Sequence, residues 1–377
     1  MNRINDLIKG LCPNGVEYVK LEKLVDYIQP AKYIVKNTNY DIKYDVPVLT
    51  AGQTFILGYT NEKYGIYYAS ADNPVIIFDD FTTSNHWVDF NFKVKSSAMK
   101  ILISKTDNLF KYIYYCISNI DYVPKEHSRQ WIQVYSQFQI PLPPLKVQEE
   151  IVRILDKFGE LEAELEAELE ARKSQYEFWR GKLLNKKNNN YKKYNITEIC
   201  KSISAGGDVP EDTIKGISKP QDEYKYPVIS NGVGDNAIYG YSKNYRVDVQ
   251  SCVTIAARGT IGYHEVRYGK FTPIIRLITL IPDEKIVSAK YLHYALFGHE
   301  FKTSGGSIPQ LTTPKVRQLD LIIPPIEEQN RIVSVLDKFN ALVNDIAVGL
   351  PAEIELRRKQ YEYYKNKLLS FEEYTNE

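Results

Sequence analysis

The stretch that decides the fold is IPLPPLKVQEEIVRILDKF, residues 140–158, because it returns as LIIPPIEEQNRIVSVLDKF at residues 321–339. Both copies contain a Pro-Pro pair, a glutamine four residues after it, and a Leu-Asp-Lys-Phe ending. A second block, PVLTAG at 47–52, returns as PVISNG at 227–232. Repetition of separate blocks at a nearly fixed period predicts that one structural unit is present twice.

A third repeated block extends the pattern and shows where the copies differ in length. RKSQYEFWRGKLL at 172–184 returns as RRKQYEYYKNKLL at 357–369, which is four residues later than the first block requires. Four residues correspond to about one helical turn. We therefore divide the chain into a first domain, a long helix, a polar linker, a second domain, a second long helix and a tail, at 1–146, 147–184, 185–193, 194–326, 327–371 and 372–377.

Apolar residues in both long helices recur in alternating steps of four and three, which is the spacing of a coiled-coil seam. The seam residues are Ile151, Leu155, Phe158, Leu165, Leu169, Tyr176, Trp179 and Leu183 in the first helix, and Ile332, Leu336, Phe339, Val343, Ile346, Tyr361, Tyr364 and Leu368 in the second. The first helix would be about 57 Å long at 1.5 Å per residue, so its apolar stripe needs a partner. We expect the two helices to form an antiparallel coiled coil with pseudo-twofold symmetry, which would place two α+β domains at its opposite ends. The alternative is that each helix packs on its own domain.

One interruption is expected in the second helix. The seam pattern stops at Gly349-Leu350-Pro351 and starts again afterwards. Proline lacks an amide donor and clashes with the preceding helical turn, so it breaks a helix in its interior. The sequence therefore predicts a break near 349–351.

Composition restricts the protein class more than it indicates a function. A length of 377 residues predicts at least two domains, and 44% hydrophobic with 25% charged residues is typical of a globular protein. No apolar run is long enough for a membrane span and residues 1–10 lack a secretory signal, so we expect a cytoplasmic protein. The four cysteines are scattered singly, which favours reduced structural residues over a metal site. A net charge of +1 does not by itself predict a nucleic-acid partner.

Taken together, the repeated blocks resemble the specificity subunits of Type I restriction-modification enzymes. The resemblance covers almost the whole chain. It is carried by the two copies of the first block, by the paired endings QYEFWRGKLL and QYEYYKNKLL, and by the opening LCPNGVEY at 11–18. It implies two target-recognition domains, each reading one half of a split, asymmetric site in double-stranded DNA. It also implies that the helices set the spacing between the half-sites, a distance that short repeats such as the LEAE run at 161–168 adjust.

The same resemblance implies partners and cofactors. Two methyltransferase subunits are expected to dock on the helices, and two restriction subunits, which are motor-nucleases, are expected to join that core. This chain would hold no cofactor or metal, whereas the partner subunits would use S-adenosylmethionine, ATP and Mg.

Loop residues that could read DNA carry amide, hydroxyl or guanidinium groups, because these groups bond to base edges and phosphates. Residues 257–262 and 305–310 resemble loops that recur in the family, and two further sites, Gln53 and Asn231-Gly232, lie at equivalent places after the repeated strands that begin with Pro47 and Pro227. The candidates are Gln53, Thr82, Thr83, Ser84, Asn85, His86, Lys125, Arg129 and Gln130 in the first domain, and Asn231, Gly232, Arg258, Gly259, Thr260, Gly306, Ser307 and Gln310 in the second. The alternative for each residue is a polar turn without a ligand.

Catalytic motifs are missing from the sequence. It contains no Asn/Asp-Pro-Pro-aromatic motif for adenine methylation, no GxxxxGK[S/T] phosphate loop and no HExxH. We therefore predict no catalytic residues in this chain. One alternative is a PD…ExK nuclease built on Pro282-Asp283 and Glu300-Phe301-Lys302, although 288–302 is predicted as helix, where such a site needs a strand. The other alternative is a scaffold whose two domains bind protein.

Overall fold

The computed structural model describes residues 2–50, 54–184, 190–301, 303, 309–345 and 347–374. The chain forms two compact units, the first from residues 1–166 and 353–377 and the second from residues 167–352. Each unit contains a mixed α/β domain and parts of the long helices. The predicted fold class, two tandem α+β domains each followed by a long helix, is confirmed.

The domain of the first unit is built from short strands and short helices. Its helices are α1 (Asn2–Leu11), α2 (Leu21–Leu24) and α3 (Phe110–Ser118). Its strands are β1 (Tyr18–Lys20), β2 (Val25–Ile28), β3 (Val46–Leu49), β4 (Ile56–Thr60), β5 (Val75–Asp79), β6 (Asn85–Val88), β7 (Lys93–Val94), β8 (Met99–Ser104) and β9 (Gln139–Pro141).

These strands form three sheets. A four-stranded antiparallel sheet has the order β2-β8-β5-β6, and a three-stranded sheet has the order β4-β3-β7, in which β3 and β7 are parallel. Strand β5 is the centre of the core, because the run Val-Ile-Ile-Phe is buried on both faces, as expected for a continuous apolar strand. Strand β1 pairs with β9 and so joins the beginning of the domain to its end.

The second unit contains the corresponding elements. Its strands are β10 (Lys192–Asn195), β11 (Cys200–Ala205), β12 (Thr213–Lys215), β13 (Tyr226–Ile229), β14 (Ile238–Ser242), β15 (Val247–Ile255), β16 (His264–Pro273), β17 (Ile278–Pro282) and β18 (Asp320–Ile323). The long helix α4 (Leu145–Leu184) precedes them in the chain, and the short helices α5 (Ile196–Ile199), α6 (Ala289–Ala295) and α7 (Thr313–Val316) lie between them.

A single seven-stranded sheet, β11-β17-β15-β16-β13-β14-β12, replaces the two larger sheets of the first unit. The reason is the length of β16. This ten-residue strand pairs with β15 along one side and in parallel with β13 along the other. In the first unit two separate strands make the corresponding pairings: β6 pairs with β5, and β7 pairs in parallel with β3. The sheet is therefore interrupted between β6 and β7.

The remaining long helices are α8 (Ile326–Asn344) and α9 (Leu350–Leu369). Within the first unit, α9 packs on α4. Phe158 stacks on Tyr364 with ring centroids 5.5 Å apart, and the guanidinium of Arg358 donates to Glu162 and Glu166, each at 2.6 Å. Higher numbers on α4 lie beside lower numbers on α9, so this pairing is antiparallel, as predicted.

Most of the expected seam residues lie in the cores of the two units. In the first unit Ile151, Leu155, Tyr361, Tyr364 and Leu368 belong to or pack against one apolar cluster. In the second unit the corresponding set is Leu169, Tyr176, Leu183, Ile332, Leu336, Phe339 and Val343. Leu165 is half-buried and Trp179 contacts Phe178, while Ile346 lies outside the described residues.

The predicted interruption in the second long helix is present between Asn344, where α8 ends, and Leu350, where α9 begins, so it lies at and just before 349–351. Helix α8 ends at Asn344, and the Asp345 carboxylate accepts hydrogen bonds from the amides of Ala347 and Val348, at 2.7 and 3.2 Å. A Cβ on Gly349 would lie 2.5 Å from the carbonyl oxygen of Ala341, so only glycine fits this turn. The prediction that Pro351 breaks the helix is therefore wrong. Pro351 lies in the first turn of α9, where its missing amide is not needed.

In both units, a buried glutamine of the repeated block links the α/β domain to the long helix that follows it. In the first unit the Gln148 amide accepts from the backbone amide of Leu109 at 3.1 Å and donates to the carbonyl of Pro143 at 2.8 Å. In the second, Gln329 accepts from Ser288 at 3.0 Å and donates to the carbonyl of Pro324 at 2.9 Å. The repeated glutamine thus bonds to backbone groups that have no partner in a helix or sheet.

In the second unit, buried His264 and half-buried His293 share a hydrogen bond. The Nδ1 atoms of His264 and His293 are 3.0 Å apart. Burial lowers the pKa of each ring from its ordinary value of 6.5 to about 4, and the Arg180 charge adds to this effect on His264, whereas Asp337 opposes it on His293. Both rings are therefore neutral in the folded protein near pH 7.

This pair makes the second unit sensitive to acid. Between pH 6.5 and about 4 the unfolded chain binds protons that the folded chain does not, so the free energy of unfolding should fall as the pH decreases through this window. Urea unfolding at a series of pH values measures the slope. His293→Gln should flatten it, and exposed His127, replaced in the same way, is the control. Equal slopes for His293→Gln and the parent protein would contradict the assignment.

Among the described residues, no helix combines the length and the apolar character needed to cross a bilayer.

Candidate nucleic-acid interface

In the second unit, Asn231 connects three loops at one end of the seven-stranded sheet. Its side-chain oxygen accepts from the backbone amide of Ala257 at 2.7 Å, and its side-chain nitrogen donates to the carbonyl of Ile275 at 2.8 Å. The hydroxyl of Thr260 donates to the backbone carbonyl of Asn231 at 2.6 Å. The loops after β13, β15 and β16 therefore form one surface, with the amide of Asn231 holding them from within.

Arg258 and Gln310 come together on this surface, although 52 residues separate them in sequence. The guanidinium of Arg258 donates to the amide oxygen of Gln310 at 3.0 Å, and Arg258 is exposed. Behind this pair the amide of Leu311 donates to the carbonyl of Ala257 at 3.0 Å. An exposed guanidinium held by an amide matches the groups that read guanine edges or bind phosphate.

The two candidate glycines of this surface have backbone roles. A Cβ on Gly232 would lie 2.3 Å from the carbonyl oxygen of Asn236, so the turn after β13 closes only over a glycine. Gly259 has φ +68° and open space around it, which lets the loop reverse direction directly after Arg258.

Ile275 and Arg276 belong to the same surface and were missed by the sequence analysis. Both are exposed, and both have positive φ, +52° and +65°. A β-branched residue in the left-handed region is a strained outlier that its surroundings must hold. The amide of Ile275 donates to Gly207 at 2.9 Å, and the bond from Asn231 holds its carbonyl. No sequence signal marks such a turn, because isoleucine and arginine do not predict a positive φ.

In the first unit, the hairpin between β5 and β6 carries most of the predicted contacts. The Asp79 carboxylate accepts from the amides of Phe81 and Thr82 at 2.8 and 3.2 Å, and Thr83 has φ +63°. The hydroxyls of Thr82 and Ser84 lie 3.0 Å apart and are exposed. This turn presents two hydroxyl groups to solvent.

The next two residues of the hairpin are partly covered. Asn85 donates from its amide to the carbonyl of Thr83 at 3.3 Å. The ring of His86 stacks on Phe55 with centroids 4.0 Å apart, and burial lowers the pKa of this imidazole. Asn85 thus bonds within the hairpin, whereas His86 packs on a residue between β3 and β4.

The second loop of the first unit, residues 125–130, contains side chains of two kinds. Lys125 and Arg129 are exposed, whereas Gln130 is 3% exposed. The Gln130 side chain donates to the carbonyl of Ser128 at 2.8 Å and accepts from the hydroxyl of Tyr122 at 2.8 Å. Gln130 therefore supports the loop from within, and the exposed charges are left to contact a ligand.

Three further candidates, Gln53, Gly306 and Ser307, lie outside the described residues, as does Lys302 of the PD…ExK alternative. The acidic residues of that alternative do not share a strand. Asp283 follows β17 and lies 3.7 Å from Lys201, while Glu300 follows the end of α6 in an irregular segment. Helix α6 ends at Ala295, so the helix predicted for 288–302 is shorter than expected. Within the described ranges, no three His, Cys, Asp or Glu side chains are grouped to hold a metal.

The chain is similar to known proteins over nearly its whole length. A family model described as the Type I restriction modification DNA specificity domain matches residues 13–171 and again 188–356. The Escherichia coli Type I restriction enzyme EcoR124I/EcoR124II specificity subunit is 41% identical over 98% of this chain and 97% of its own length. A putative Type I restriction enzyme specificity subunit of Haemophilus influenzae is 30% identical over 98% of both chains.

Solved structures share the fold at low sequence identity. The S subunit of a Type I restriction-modification system from M. genitalium aligns over 94% of this chain and 96% of its own, with a TM-score of 0.56 and 12% identity. A chain from a study of complex assembly and conformational transition in the type I R-M system aligns over 95% and 98%, with a TM-score of 0.55 and 15% identity.

Proposed function

This chain belongs to the Type I restriction-modification DNA specificity family, and on that premise we propose that each of its two domains reads one half of a two-part, asymmetric DNA site. The surface around Asn231 binds one half-site. The hairpin at 81–86 and the loop at 125–130 bind the other.

One observation carries this proposal: the two domains build the same loop contact and place different side chains on it. In the first unit the amide of Gln130 donates to the carbonyl of Asp80 at 2.8 Å, and in the second the amide of Leu311 donates to the carbonyl of Ala257 at 3.0 Å. Beside the first contact lies Arg129, and beside the second lies Gln310. A repeated backbone with different polar groups suits a reader of two unlike sequences.

The chain acts as the reader within a larger assembly. Its relatives are named specificity subunits, which supports a division of labour in which other subunits perform the chemistry. We assign methyl transfer to two methyltransferase subunits with S-adenosylmethionine, and cleavage to two restriction subunits with ATP and Mg. This chain contributes DNA recognition and the docking surface, and no cofactor.

Mapping of methylated adenines tests this function. DNA from cells that express the chain with its partner subunits should carry the modification at a single two-part sequence with a fixed gap. Modification at one undivided sequence, or none that depends on this chain, would contradict the proposal.

A deletion tests what sets the gap. Helix α4 leads from one unit into the other, and removal of residues 165–168 shortens it by about 6 Å. We expect a gap shorter by up to about two base pairs, since successive bases are about 3.4 Å apart, with both half-sites unchanged. Replacement of Leu165, Glu166 and Glu168 by alanine, beside the native Ala167, keeps the helix length and is the control. A deletion variant with the parent's gap would show that α4 does not set the spacing.

A further inference from the structure

The first unit contains a fully buried ion pair at the base of its predicted DNA-binding loops. Nζ of Lys100 lies 3.3 Å from Oδ2 of Asp80, and their side chains are 0% and 1% exposed. Lys100 belongs to β8, Asp80 directly follows β5, and the ammonium group also lies over the ring of Tyr27, 4.7 Å from its centroid. Both charges are thus removed from water.

A gain in folding stability does not explain why this ion pair is present. Withdrawal of two charges from water is costly, and replacement of a buried ion pair by apolar residues is often neutral or stabilising. The geometry here is also incomplete, because among the described residues neither Oδ2 of Asp80 nor Nζ of Lys100 has a hydrogen-bond partner. A pair with these features needs another reason to be present.

The second unit shows the apolar alternative at the same positions. Phe78 pairs with Lys100 across the first sheet, and Ile255 pairs with Ile278 across the second. Two residues after Phe78 comes Asp80, and two residues after Ile255 comes Ala257. Ala257 and Ile278 are fully buried, and their unit still makes the same backbone contact to the returning loop. The fold therefore forms without the charges.

The carboxylate in the first unit makes contacts that alanine cannot make. Oδ1 of Asp80 accepts from the amide of Trp131 at 2.9 Å, and Oδ2 lies 3.8 Å from Nη1 of Arg129. The Arg129 side chain is 50% exposed. One carboxylate thus connects the core to a guanidinium at the surface.

We propose that Asp80 is a positioning residue that directs the Arg129 guanidinium to a base edge of one half-site, while Lys100 supplies the charge that balances Asp80 in the core. This inference rests on the proposed DNA-reading function. A guanidinium held from below by a carboxylate keeps donors free on its outer side, and bidentate contact from arginine to guanine is the commonest specific contact in the major groove. The ion pair therefore contributes to recognition at the expense of stability.

The second unit supplies the matched variant. The double substitution Asp80→Ala with Lys100→Ile copies Ala257 and Ile278, so it removes both charges together and leaves no unpaired lysine in the core. A second double variant, Asp80→Asn with Lys100→Ile, also removes both charges but keeps an acceptor for the Trp131 amide. Each variant is prepared in the full chain with its methyltransferase partners.

Two measurements are made on each variant: the thermal unfolding midpoint, and the sequences selected from a library of randomised duplexes. The Asp80→Asn and Lys100→Ile variant should unfold within a few degrees of the parent, whereas the Asp80→Ala and Lys100→Ile variant also loses the bond to the Trp131 amide and should unfold at a lower temperature. Both variants should keep one half-site and the gap, and lose at least ten-fold discrimination at one base of the other half-site. Arg129→Ala should lose discrimination at that same base.

Three outcomes overturn the inference. Parental discrimination in either double variant would show that the carboxylate does not position Arg129. A large fall in the unfolding midpoint of the Asp80→Asn and Lys100→Ile variant would show that the pair is structural. Uniformly weaker binding without a change in discrimination would make Arg129 a phosphate contact. If the parent complex selects no two-part sequence, the proposed function fails instead.

Discussion

Replacement of Gln329 by alanine should lower the free energy of unfolding of the second unit by about 3 to 5 kcal/mol, because each buried polar group left without a partner costs about 1–3 kcal/mol. The substitution leaves three backbone groups unpaired: the amide of Ser288 and the carbonyls of Ile286 and Pro324, now bonded at 2.8 to 3.0 Å. Gln329 itself is fully buried, so water cannot easily take its place. Urea unfolding measures the change, with separate transitions expected if the two units unfold independently.

The chain offers both a repeat and a control for this experiment. Gln148→Ala removes the equivalent bonds in the first unit and should have an effect of the same order. Gln318→Ala replaces an exposed glutamine near the end of α7 and should change the free energy of unfolding by less than about 0.5 kcal/mol. A loss below about 1 kcal/mol for Gln329→Ala would mean that the backbone groups find other partners.

The glutamine also shows what the sequence could and could not reveal. Its repetition after each Pro-Pro pair was visible, and the repeat predicted two domains and two long helices. Its bonds were not predictable, because Leu109 and Ser288 come from distant segments that only the folded domain brings near. The parallel pairing of β3 with β7 was hidden for the same reason, since the paired residues Val48 and Lys93 lie 45 positions apart in the sequence (93 minus 48).

Helix periodicity located the long helices well and their interruption less well. The seam spacing depends on local geometry of 3.6 residues per turn, which is written in the sequence itself. At the interruption, the sequence predicts that proline ends the helix. The structure instead ends it with the Asp345 side chain and Gly349, and uses Pro351 to begin α9. A proline indicates that a helix boundary is near. Whether it lies at the end of one helix or at the start of the next depends on the neighbouring turn.

The candidate interface was predicted in part. Residue type indicated which side chains could bond to DNA, and Arg258 and Gln310 do lie together. It could not indicate the direction in which a side chain points, so Gln130 and Asn231 were grouped with exposed residues although they bond to neighbouring loop residues of the protein itself. Ile275 lacked any polar group that would have drawn attention to it.

Arg258→Ala should weaken binding of the cognate duplex about 10- to 100-fold, since one good bidentate contact to a base is worth about 1–3 kcal/mol. The guanidinium is exposed at the surface organised by Asn231, and its bond to Gln310 at 3.0 Å restricts its orientation. The loss should be confined to one half-site, because the substitution affects only the second unit. Competition binding of the methyltransferase complex, with cognate and random duplexes at one salt concentration, measures it.

Two substitutions distinguish base reading from simple charge. Arg258→Lys keeps the positive charge and loses the planar fork, so a base contact should not be rescued, whereas a phosphate contact should be largely restored. Arg331→Ala removes another exposed arginine, which is paired with Glu328 on α8 at 2.6 Å, and should leave DNA affinity unchanged. Because the two arginines carry the same charge and differ in position, a selective effect of Arg258 identifies the loop surface as the place where sequence is read. Equal affinities of Arg258→Ala and the parent for cognate and random DNA would remove Arg258 from that surface's function.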